Sequence, residues 1–412
     1  MNPTIKARIE SIRRGEVPEG YKRTKIGIVP NEWEKVRLGD YLVKHKEVSE
    51  YNNQYPVLTS SRRGIFLQSD YYKQEVASED NTGYNVVPKG YFTYRHMSDD
   101  NIFRFNINTI VEKGIVSTLY PVFTTRGICD DFLLVLLNNG REFSRFAILQ
   151  KQGGSRTYIY FDKLQELKIW LPSISEQEKI AEILAGQDRV IALKEKLLAE
   201  KQKQKKYLMQ QLLTGKKRLP GFSGEWIESR LGDLFRERVE TNCAELRLLA
   251  ITSGQGVIPR DELELKDNSS EDKSKYKKIC VGDIGYNTMR MWQGVSAFSN
   301  YEGIVSPAYT ILAPNSEIDA KFFAYQFKLS SIIFLFYRYS QGLVDDTRNL
   351  KYENLKRIRV LFPQDKKEQV AIAEILSTAD KEIELLKKDI EQEKLKKKSL
   401  MQLLLTGIVR VL

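Results

Sequence analysis

Arginine and glutamine residues stand close to aromatic residues at several places in the chain, chiefly at positions 62–63, 91–96, 290–293 and 337–341. Arginine can donate two parallel hydrogen bonds to O6 and N7 of guanine, glutamine can bind adenine in the same way, and an aromatic side chain can contact a thymine methyl group. This chemistry suits the reading of DNA bases. A structural alternative fits the same residues, with aromatic rings in a sheet core and arginines bound to carboxylates.

Two loops carry the strongest candidates. Thr59-Ser60 recurs as Thr252-Ser253, but the next residues diverge, Ser61-Arg62-Arg63 against Gly254-Gln255. A shared framework followed by different residues favours a variable binding loop. The predicted DNA-contacting residues are Ser60, Ser61, Arg62, Arg63, Tyr94, Arg95, His96, Arg156, Ser253, Gln255, Arg290, Trp292, Gln293, Arg338, Gln341 and Arg348.

A long internal repeat indicates the scaffold that must position the predicted DNA-contacting residues. Residues 181–215 recur without a gap as residues 373–407, offset by 192, and about half of the aligned positions are identical. Long unlike stretches separate the copies. The pattern indicates a duplicated scaffold that carries two divergent heads.

Both copies show a seven-residue hydrophobic repeat, which predicts two long helices that pair as a coiled coil. Each helix follows a proline, Pro172 or Pro363, and ends in Thr-Gly, which is typical of a glycine cap. Each starts at a different head, so the paired helices are predicted to be antiparallel, with a pseudo-twofold internal repeat. Lys205 and Lys397 interrupt the apolar positions, weakening the pairing and helping to define its register. The predicted seam residues are Leu184, Ile191, Leu198, Leu208, Leu212, Leu376, Ile383, Leu386, Ile390, Leu400 and Leu404.

The heads repeat more faintly. Glu32-Trp33 and residues 37–40 return at an offset of 193 as Glu225-Trp226 and residues 230–233. Short runs rich in β-forming residues predict strands at 91–94, 133–137 and 309–312, and helices are expected near 142–151 and 319–337. Residues 261–278 are highly charged and predict an exposed loop. The fold class is therefore mixed α/β (α+β), with two globular heads joined by two long antiparallel helices.

Composition supports two domains and a polyanionic partner. The 412 residues carry 65 Lys and Arg against 54 Asp and Glu, a net charge of +11. Three unpaired cysteines and two histidines argue against a disulfide framework, a zinc site or a catalytic site built on several imidazoles. No apolar run approaches the roughly 18 residues of a membrane span. A soluble, cytoplasmic protein is predicted.

The sequence lacks the motifs of a catalyst. Gly215-Lys216 is followed by Lys217 rather than by Ser or Thr, so no phosphate-binding loop is present, and no Asn-Pro-Pro-Tyr or Asn-Pro-Pro-Phe methyltransferase box occurs. Asp261, Glu264 and Lys266 are the nearest approach to a metal-dependent nuclease site, although a solvated charged loop explains them more simply. The lysines between 203 and 217, with Arg218, contact phosphates or form a solvated helix face. We therefore predict a reader without catalytic chemistry and without a metal.

Several duplicated motifs in the same order carry a family resemblance. They are Val29-Pro30 with Glu32-Trp33, residues 37–40, residues 219–233 and both repeated helices. With them, nearly the whole chain resembles the specificity subunit of type I restriction-modification systems. The resemblance implies two target recognition domains, each reading one part of a split, asymmetric DNA site. It also implies that the helices set the spacer and dock the partner subunits.

The domain boundaries expected from this resemblance are 1–25 for an N-terminal segment, 26–172 for the first head, 173–215 for the first conserved helix, 216–363 for the second head, 364–407 for the second helix and 408–412 for a tail. The implied partners are double-stranded DNA, two modification (methyltransferase) subunits and restriction (motor) subunits, with a homodimer possible for the isolated chain. The resemblance also implies that the chain itself needs no cofactor, because S-adenosylmethionine, Mg²⁺ and ATP are used by the partner subunits. A fused restriction enzyme and a coiled-coil adaptor that binds protein remain the alternatives.

Overall fold

The computed structural model describes residues 3–25, 27–72, 80–151, 155–252, 254, 256–263 and 270–411. The chain folds into two compact units. The first unit comprises residues 1–193 with 390–412, and the second comprises residues 194–389. Each unit therefore contains one head together with part of each long helix.

In the first unit, strands β1 to β14 are Tyr21–Thr24, Gly27–Pro30, Glu34–Arg37, Leu42–Lys44, Leu58–Ser61, Gly64–Leu67, Asn85–Pro88, Phe92–Tyr94, Met97–Ser98, Phe105–Ile107, Lys113–Val116, Val122–Thr125, Thr157–Tyr158 and Lys168–Leu171. Helices α1 to α5 are Pro3–Arg13, Gln68–Tyr71, Asp130–Asn139, Arg141–Leu149 and Phe161–Leu164, and the long helix α6, Ile174–Leu212, begins here.

In the second unit, strands β15 to β24 are Trp226–Arg230, Phe235–Glu237, Leu249–Thr252, Gly256–Pro259, Lys277–Ile279, Ile284–Asn287, Ser296–Phe298, Gly303–Val305, Tyr309–Pro314 and Arg359–Pro363. Helices α7 to α10 are Leu231–Leu234, Ala320–Gln326, Ser330–Tyr339 and Tyr352–Leu355, and the long helix α11, Lys366–Leu405, begins here. Short 3₁₀ helices lie at Leu38–Asp40, Arg260–Glu262, Met291–Gln293 and Asp345–Thr347.

The two heads share one sheet plan. A four-stranded antiparallel sheet runs in the order β4-β12-β8-β10 in the first head and β16-β23-β20-β21 in the second. Two-stranded pairs also recur, β5 with β6 matching β17 with β18, and β3 with β14 matching β15 with β24. The mixed α/β fold predicted from the sequence is confirmed.

Large aromatic side chains fill the core of each sheet. In the first head Phe92 stacks on Phe123, with ring centroids 4.9 Å apart, and both are fully buried. In the second head Phe235 packs edge-on against Phe323 at 5.4 Å. Such pairs contribute about 0.5–1.5 kcal/mol beyond the burial of their area. The sheets that carry the loops are thus firmly packed on one face.

The strand predicted at 133–137 is wrong, because these residues lie in helix α3. Four of its residues, Phe132, Leu133, Leu136 and Leu137, are buried against the head core. A short apolar run cannot by itself be assigned to strand or helix. Asp130 and Asp131 in the first turn favour the helix, since carboxylates stabilise the positive end of the helix dipole. The single helix predicted near 319–337 is instead two helices, α8 and α9.

The predicted long helices are confirmed, with 39 residues in α6 and 40 in α11. The buried seam side chains are Leu184, Ile191, Leu212, Leu376, Ile383, Ile390 and Leu404, and the half-buried ones are Leu198, Leu208, Leu386 and Leu400. Within the second unit, Lys194 pairs with Asp389, Lys201 with Glu382 and Lys205 with Asp380. The residue numbers of the partners on α11 decrease as those of the lysines on α6 increase, so the helices run antiparallel.

The lysines that interrupt the seam are paired across it. Lys205 Nζ lies 2.5 Å from Asp380 in the second unit, and Lys397 Nζ lies 2.5 Å from Asp188 in the first. The internal repeat relates the two pairs, because its offset of 192 residues carries Asp188 onto Asp380 and Lys205 onto Lys397. A shift of one helix along the other would separate these charges, which supports a role in defining the register.

Each long helix ends in a left-handed glycine, Gly215 with φ +70° and Gly407 with φ +69°. After each glycine the chain turns back, and an arginine in this segment binds a glutamate in the first turn of the other long helix. In the first unit Arg410 binds Glu176 at 2.7 and 3.0 Å, and in the second Arg218 binds Glu368 at 2.6 and 2.7 Å. Both glutamates are only 1% exposed. Arg218 therefore has a structural partner, in contrast to the phosphate contact considered for it.

Within the described residues, no helix combines the length and hydrophobicity needed to cross a membrane.

Candidate nucleic-acid interface

A cleft on the first head gathers several of the predicted DNA-contacting residues. The turn between β5 and β6 projects Arg62 and Arg63, and β5 ends in Ser60 and Ser61. Ser60 is buried, and its Oγ accepts a hydrogen bond from Asn106 Nδ2 at 2.8 Å. The residues lining the cleft include Ser60, Ser61, Arg62, Tyr72, Arg95, Met97, Asp99, Arg104 and Tyr120.

Two arginines from distant parts of the sequence converge on one loop beside this cleft. The loop follows β9 and carries Asp99 and Asp100. Arg62 donates to Asp100 at 2.6 Å, and Arg156, just before β13, donates to Asp99 at 2.8 Å. The guanidinium of Arg62 and the hydroxyl of Ser98 lower the pKa of Asp100 to about 2. All four charged side chains remain about half exposed or more.

The other arginines of the first head differ in their surroundings. The guanidinium of Arg63 lies 4.8 Å from the ring centroid of Tyr71, a cation–π distance. Arg95 and Arg104 are exposed, and neither has an ion-pair partner among the residues that the structure describes. They add positive charge to the cleft, whose lining carboxylate, Asp99, pairs instead with Arg156.

The second head builds a different surface on the same framework. The 3₁₀ helix Met291–Gln293 packs against α9, placing the Trp292 ring 6.3 Å from that of Tyr337. Arg348 lies over the Tyr337 ring at 4.0 Å and donates to its hydroxyl at 3.0 Å. Arg290 lies beside Gln293, with NH1 3.5 Å from Oε1.

Loop 341–349 completes this second surface. Gln341 and Asn349 exchange two backbone hydrogen bonds of 2.8 Å, which close the loop, and the Gln341 side chain is exposed. Arg338 is also exposed, on the last turn of α9. The structure therefore brings Arg290, Trp292, Gln293, Arg338, Gln341 and Arg348 to neighbouring elements of one head.

Comparison with known proteins gives the family. Residues 30–202 and 224–394 each match the model of the type I restriction modification DNA specificity domain. The chain belongs to this family. Each match spans one head and the first part of the long helix that follows it, and the resemblance drawn from the sequence motifs is confirmed.

Named relatives and solved structures agree with the family. The type I restriction enzyme MjaVIII specificity subunit of Methanocaldococcus jannaschii is 25% identical over 427 residues, covering 93% of this chain and 94% of that protein. The crystal structure of the type I restriction-modification S subunit from M. genitalium matches with a TM-score of 0.52 at 15% identity, covering 90% of this chain and 96% of that one. A structure concerned with complex assembly and conformational transition of the type I R-M system matches with a TM-score of 0.56 at 15% identity, covering 92% and 99%. The structural matches establish the shared fold.

Two predicted contact residues of this specificity protein belong to its core. Tyr94 is fully buried, stacks on Phe105 at 4.5 Å and donates to the carbonyl of Ile159 at 2.9 Å. It has no exposed surface with which to contact DNA, and the interpretation of Tyr94 as a DNA contact is corrected. Burial raises its phenol pKa well above the usual range. His96 is 8% exposed, with Nδ1 2.6 Å from the carbonyl of Leu119, and it too serves a structural role.

Two further candidates, Ser253 and Gln255, lie outside the described residues, as do Glu264 and Lys266. Asp261, which the sequence grouped with Glu264 and Lys266 as a possible nuclease site, forms an ion pair with Arg247 at 2.8 and 2.9 Å. Within the described ranges no cluster of three His, Cys, Asp or Glu side chains is arranged to hold a metal ion.

Sequence reasoning missed Asp99, Asp100 and Arg104. The partners of the two aspartates lie 57 and 38 residues away in the chain, so no local spacing signals the pairs. The pairing of β9 with β13 brings Asp99 to Arg156, and the packing of the head brings the turn between β5 and β6, with Arg62, to Asp100.

Proposed function

We propose that this member of the specificity-domain family is the DNA-recognition subunit of a type I restriction-modification complex. Each head reads one part of a split, asymmetric site, and the paired helices set the spacing and dock the modification subunits. We retain 26–172 and 216–363 as the two target recognition domains. The observation that carries the proposal is the presence of two family domains in one chain, each with its own arginine-rich surface.

The contrast between the two surfaces supports reading of unlike half-sites. The sheets have the same order. In the first head Arg62 and Arg156 pair with Asp100 and Asp99. In the second head Arg348 pairs with Asp345 and also lies over the Tyr337 ring, beside Trp292. Base-edge recognition depends on the side chains presented to the major groove. Equal frameworks with different side chains are therefore expected to select different bases.

We assign the catalytic chemistry to partner subunits. S-adenosylmethionine, Mg²⁺ and ATP would be used by modification and restriction subunits that associate with this chain. One solved structure of the same fold addresses complex assembly of the type I system, which supports partners of this kind for the present chain. The adaptor alternative requires heads that bind protein and no preference for DNA sequence.

Exchange of one head tests the modular assignment. Replacing residues 40–165 with the corresponding segment of another family member is expected to change one half of the recognised sequence and to leave the other half and the spacer intact. Selection from random duplexes by the chain assembled with its modification subunits measures this directly. A change in both halves would contradict modular reading, and a wild-type chain that selects no bipartite sequence would favour the adaptor.

Lengthening the paired helices tests the spacing role. One heptad inserted after Lys203 with a facing heptad after Lys381 keeps the seam in phase, because the two positions oppose each other between the Lys201–Glu382 and Lys205–Asp380 pairs. Seven residues add about 10.5 Å at 1.5 Å per residue, close to three base pairs at 3.4 Å each. The preferred spacer should lengthen by about three base pairs while both half-sites stay the same.

An insertion of four residues at each position is the matched control. It disturbs the heptad phase and should weaken assembly without giving a defined new spacer. An unchanged spacer in the heptad variant would rule out the helices as the measure of spacing.

A further inference from the structure

We propose that Asp99 and Asp100 position Arg62 and Arg156 to bind two guanines in the half-site read by the first head. This inference rests on the proposed function and deepens it, because it names the bases and the residues that select them. Neither aspartate belongs to the candidates that sequence patterns indicate.

The loop that carries the aspartates is held by its own contacts. The Oδ1 atom of Asp100 lies 2.9 Å from Ser98 Oγ and accepts a hydrogen bond from the backbone N–H of Ile102 at 3.1 Å. Asn101 takes a left-handed conformation with φ +63°, and its side chain accepts a hydrogen bond from Thr157. The carboxylate of Asp100 therefore has a defined position that does not depend on Arg62.

The arginines keep free donors while they are held. Arg62 uses NH2 on Asp100, and Arg156 uses Nε on Asp99, so each guanidinium retains further N–H groups. Their side chains are 60% and 50% exposed. Two parallel N–H groups are what guanine O6 and N7 require.

The two carboxylates restrict the orientation of the arginine side chains but add little to the stability of the fold. Ion pairs between exposed side chains add little to the free energy of unfolding. Holding a flexible arginine in one orientation before binding does reduce the entropy lost when it meets a base. Aspartate can also accept from cytosine N4, the partner of guanine, so an adjacent Arg and Asp suit a G·C pair.

The other arginines of the cleft differ from Arg62 and Arg156 in a way that distinguishes base contacts from phosphate contacts. Arg95 and Arg104 line the same cleft and have no ion-pair partner within the described residues, which suits contacts to phosphates. In the second head the repeat offset of 192 residues places Met291 and Trp292 at the positions of Asp99 and Asp100, and the carboxylate that pairs with Arg348 there, Asp345, belongs to a different loop. The inference thus applies to one half-site only.

The test uses the full chain assembled with its modification subunits and the variants Asp100→Asn, Asp99→Asn, Arg62→Ala and Arg156→Ala. Asparagine keeps an acceptor oxygen for Ser98 and Ile102, so the loop should fold, which a thermal melt checks. Selection from random duplexes, followed by titration of single-base substitutions, is the readout. Glu112→Gln, which removes an exposed carboxylate paired with Lys89 at 2.6 Å, is the matched control.

We expect the wild-type chain to require guanine at two positions of one half-site, with roughly 10- to 100-fold weaker binding to other bases. Asp100→Asn and Arg62→Ala should relax the same position, and Asp99→Asn and Arg156→Ala the other. Combining Asp100→Asn with Arg62→Ala should add nothing to Arg62→Ala alone. The second half-site, the melting temperature and the control should be unchanged.

Uniform loss of affinity on every duplex would overturn the inference, because it would mark the arginines as phosphate contacts. Tighter binding by Asp100→Asn with unchanged base preference would also overturn it, since the carboxylate would then merely repel DNA. A wild-type chain that selects a bipartite sequence without these guanines refutes the inference and leaves the proposed function standing. A wild-type chain that selects no bipartite sequence refutes both.

Discussion

Replacement of Arg410 by alanine is expected to lower the free energy of unfolding of the first unit by about 3–5 kcal/mol. The change leaves Glu176 buried, 1% exposed, without the guanidinium that binds both of its oxygens at 2.7 and 3.0 Å. The remaining donor is the indole N–H of Trp33 at 3.2 Å, which cannot compensate for a full charge. The buried carboxylate, rather than the lost attraction, causes most of the effect.

Hydrogen exchange during urea unfolding gives the measurement, because it follows the two units separately. Arg218→Ala should have a similar effect in the second unit, where Glu368 is the buried partner. Arg14→Ala, which removes an exposed pair with Glu16, is the control and should change stability little. Adding Glu176→Gln to Arg410→Ala should recover part of the loss. A loss below about 1 kcal/mol for Arg410→Ala would contradict the explanation by burial.

Replacement of Arg238 by alanine is expected to destabilise the second head by about 3–5 kcal/mol for the same physical reason. Asp283 is 2% exposed and accepts hydrogen bonds from Arg238 Nε at 2.8 Å and NH2 at 3.2 Å. The backbone N–H of Cys280, 2.8 Å from Asp283, is the donor that remains. Thermal unfolding with hydrogen exchange in the second head would measure the loss.

The first head provides a matched replacement for this pair. His45 and Tyr91 occupy the equivalent positions and meet edge-on, with ring centroids 5.0 Å apart. The double variant Arg238→His with Asp283→Tyr removes the buried charge altogether, so it should be more stable than Arg238→Ala alone. Equal or lower stability of the double variant would show that the charge pair is not the cause of the loss.

The long helices were predictable in detail from the sequence. A heptad repeat depends on side chains three and four residues apart, and such neighbours lie on one helix face whatever the rest of the chain does. Proline before each helix and glycine after it mark the ends, and the helices run between Ile174 and Leu212 and between Lys366 and Leu405. The doubled family motifs likewise identified the class of protein.

The heads were predictable only in outline. The apolar run 133–137 fits a strand and a helix equally well by pattern, and packing of Leu133, Leu136 and Leu137 on one face decided for the helix. Tyr94 was similarly ambiguous, since an aromatic residue between Thr93 and Arg95 suits both a core and a binding surface. Its burial follows from the order of strands in the sheet, which sequence neighbours do not reveal.

The sequence by itself determined the family, the duplication and the two paired helices, because all three depend on motifs and periodicity along the chain. The tertiary structure alone decided which charges meet. Arg410 reaches Glu176 across 234 residues, and Arg156 reaches Asp99 across 57. Such pairs form where strand order and helix pairing bring distant segments together. Electrostatic attraction falls with distance in space and is indifferent to separation along the chain.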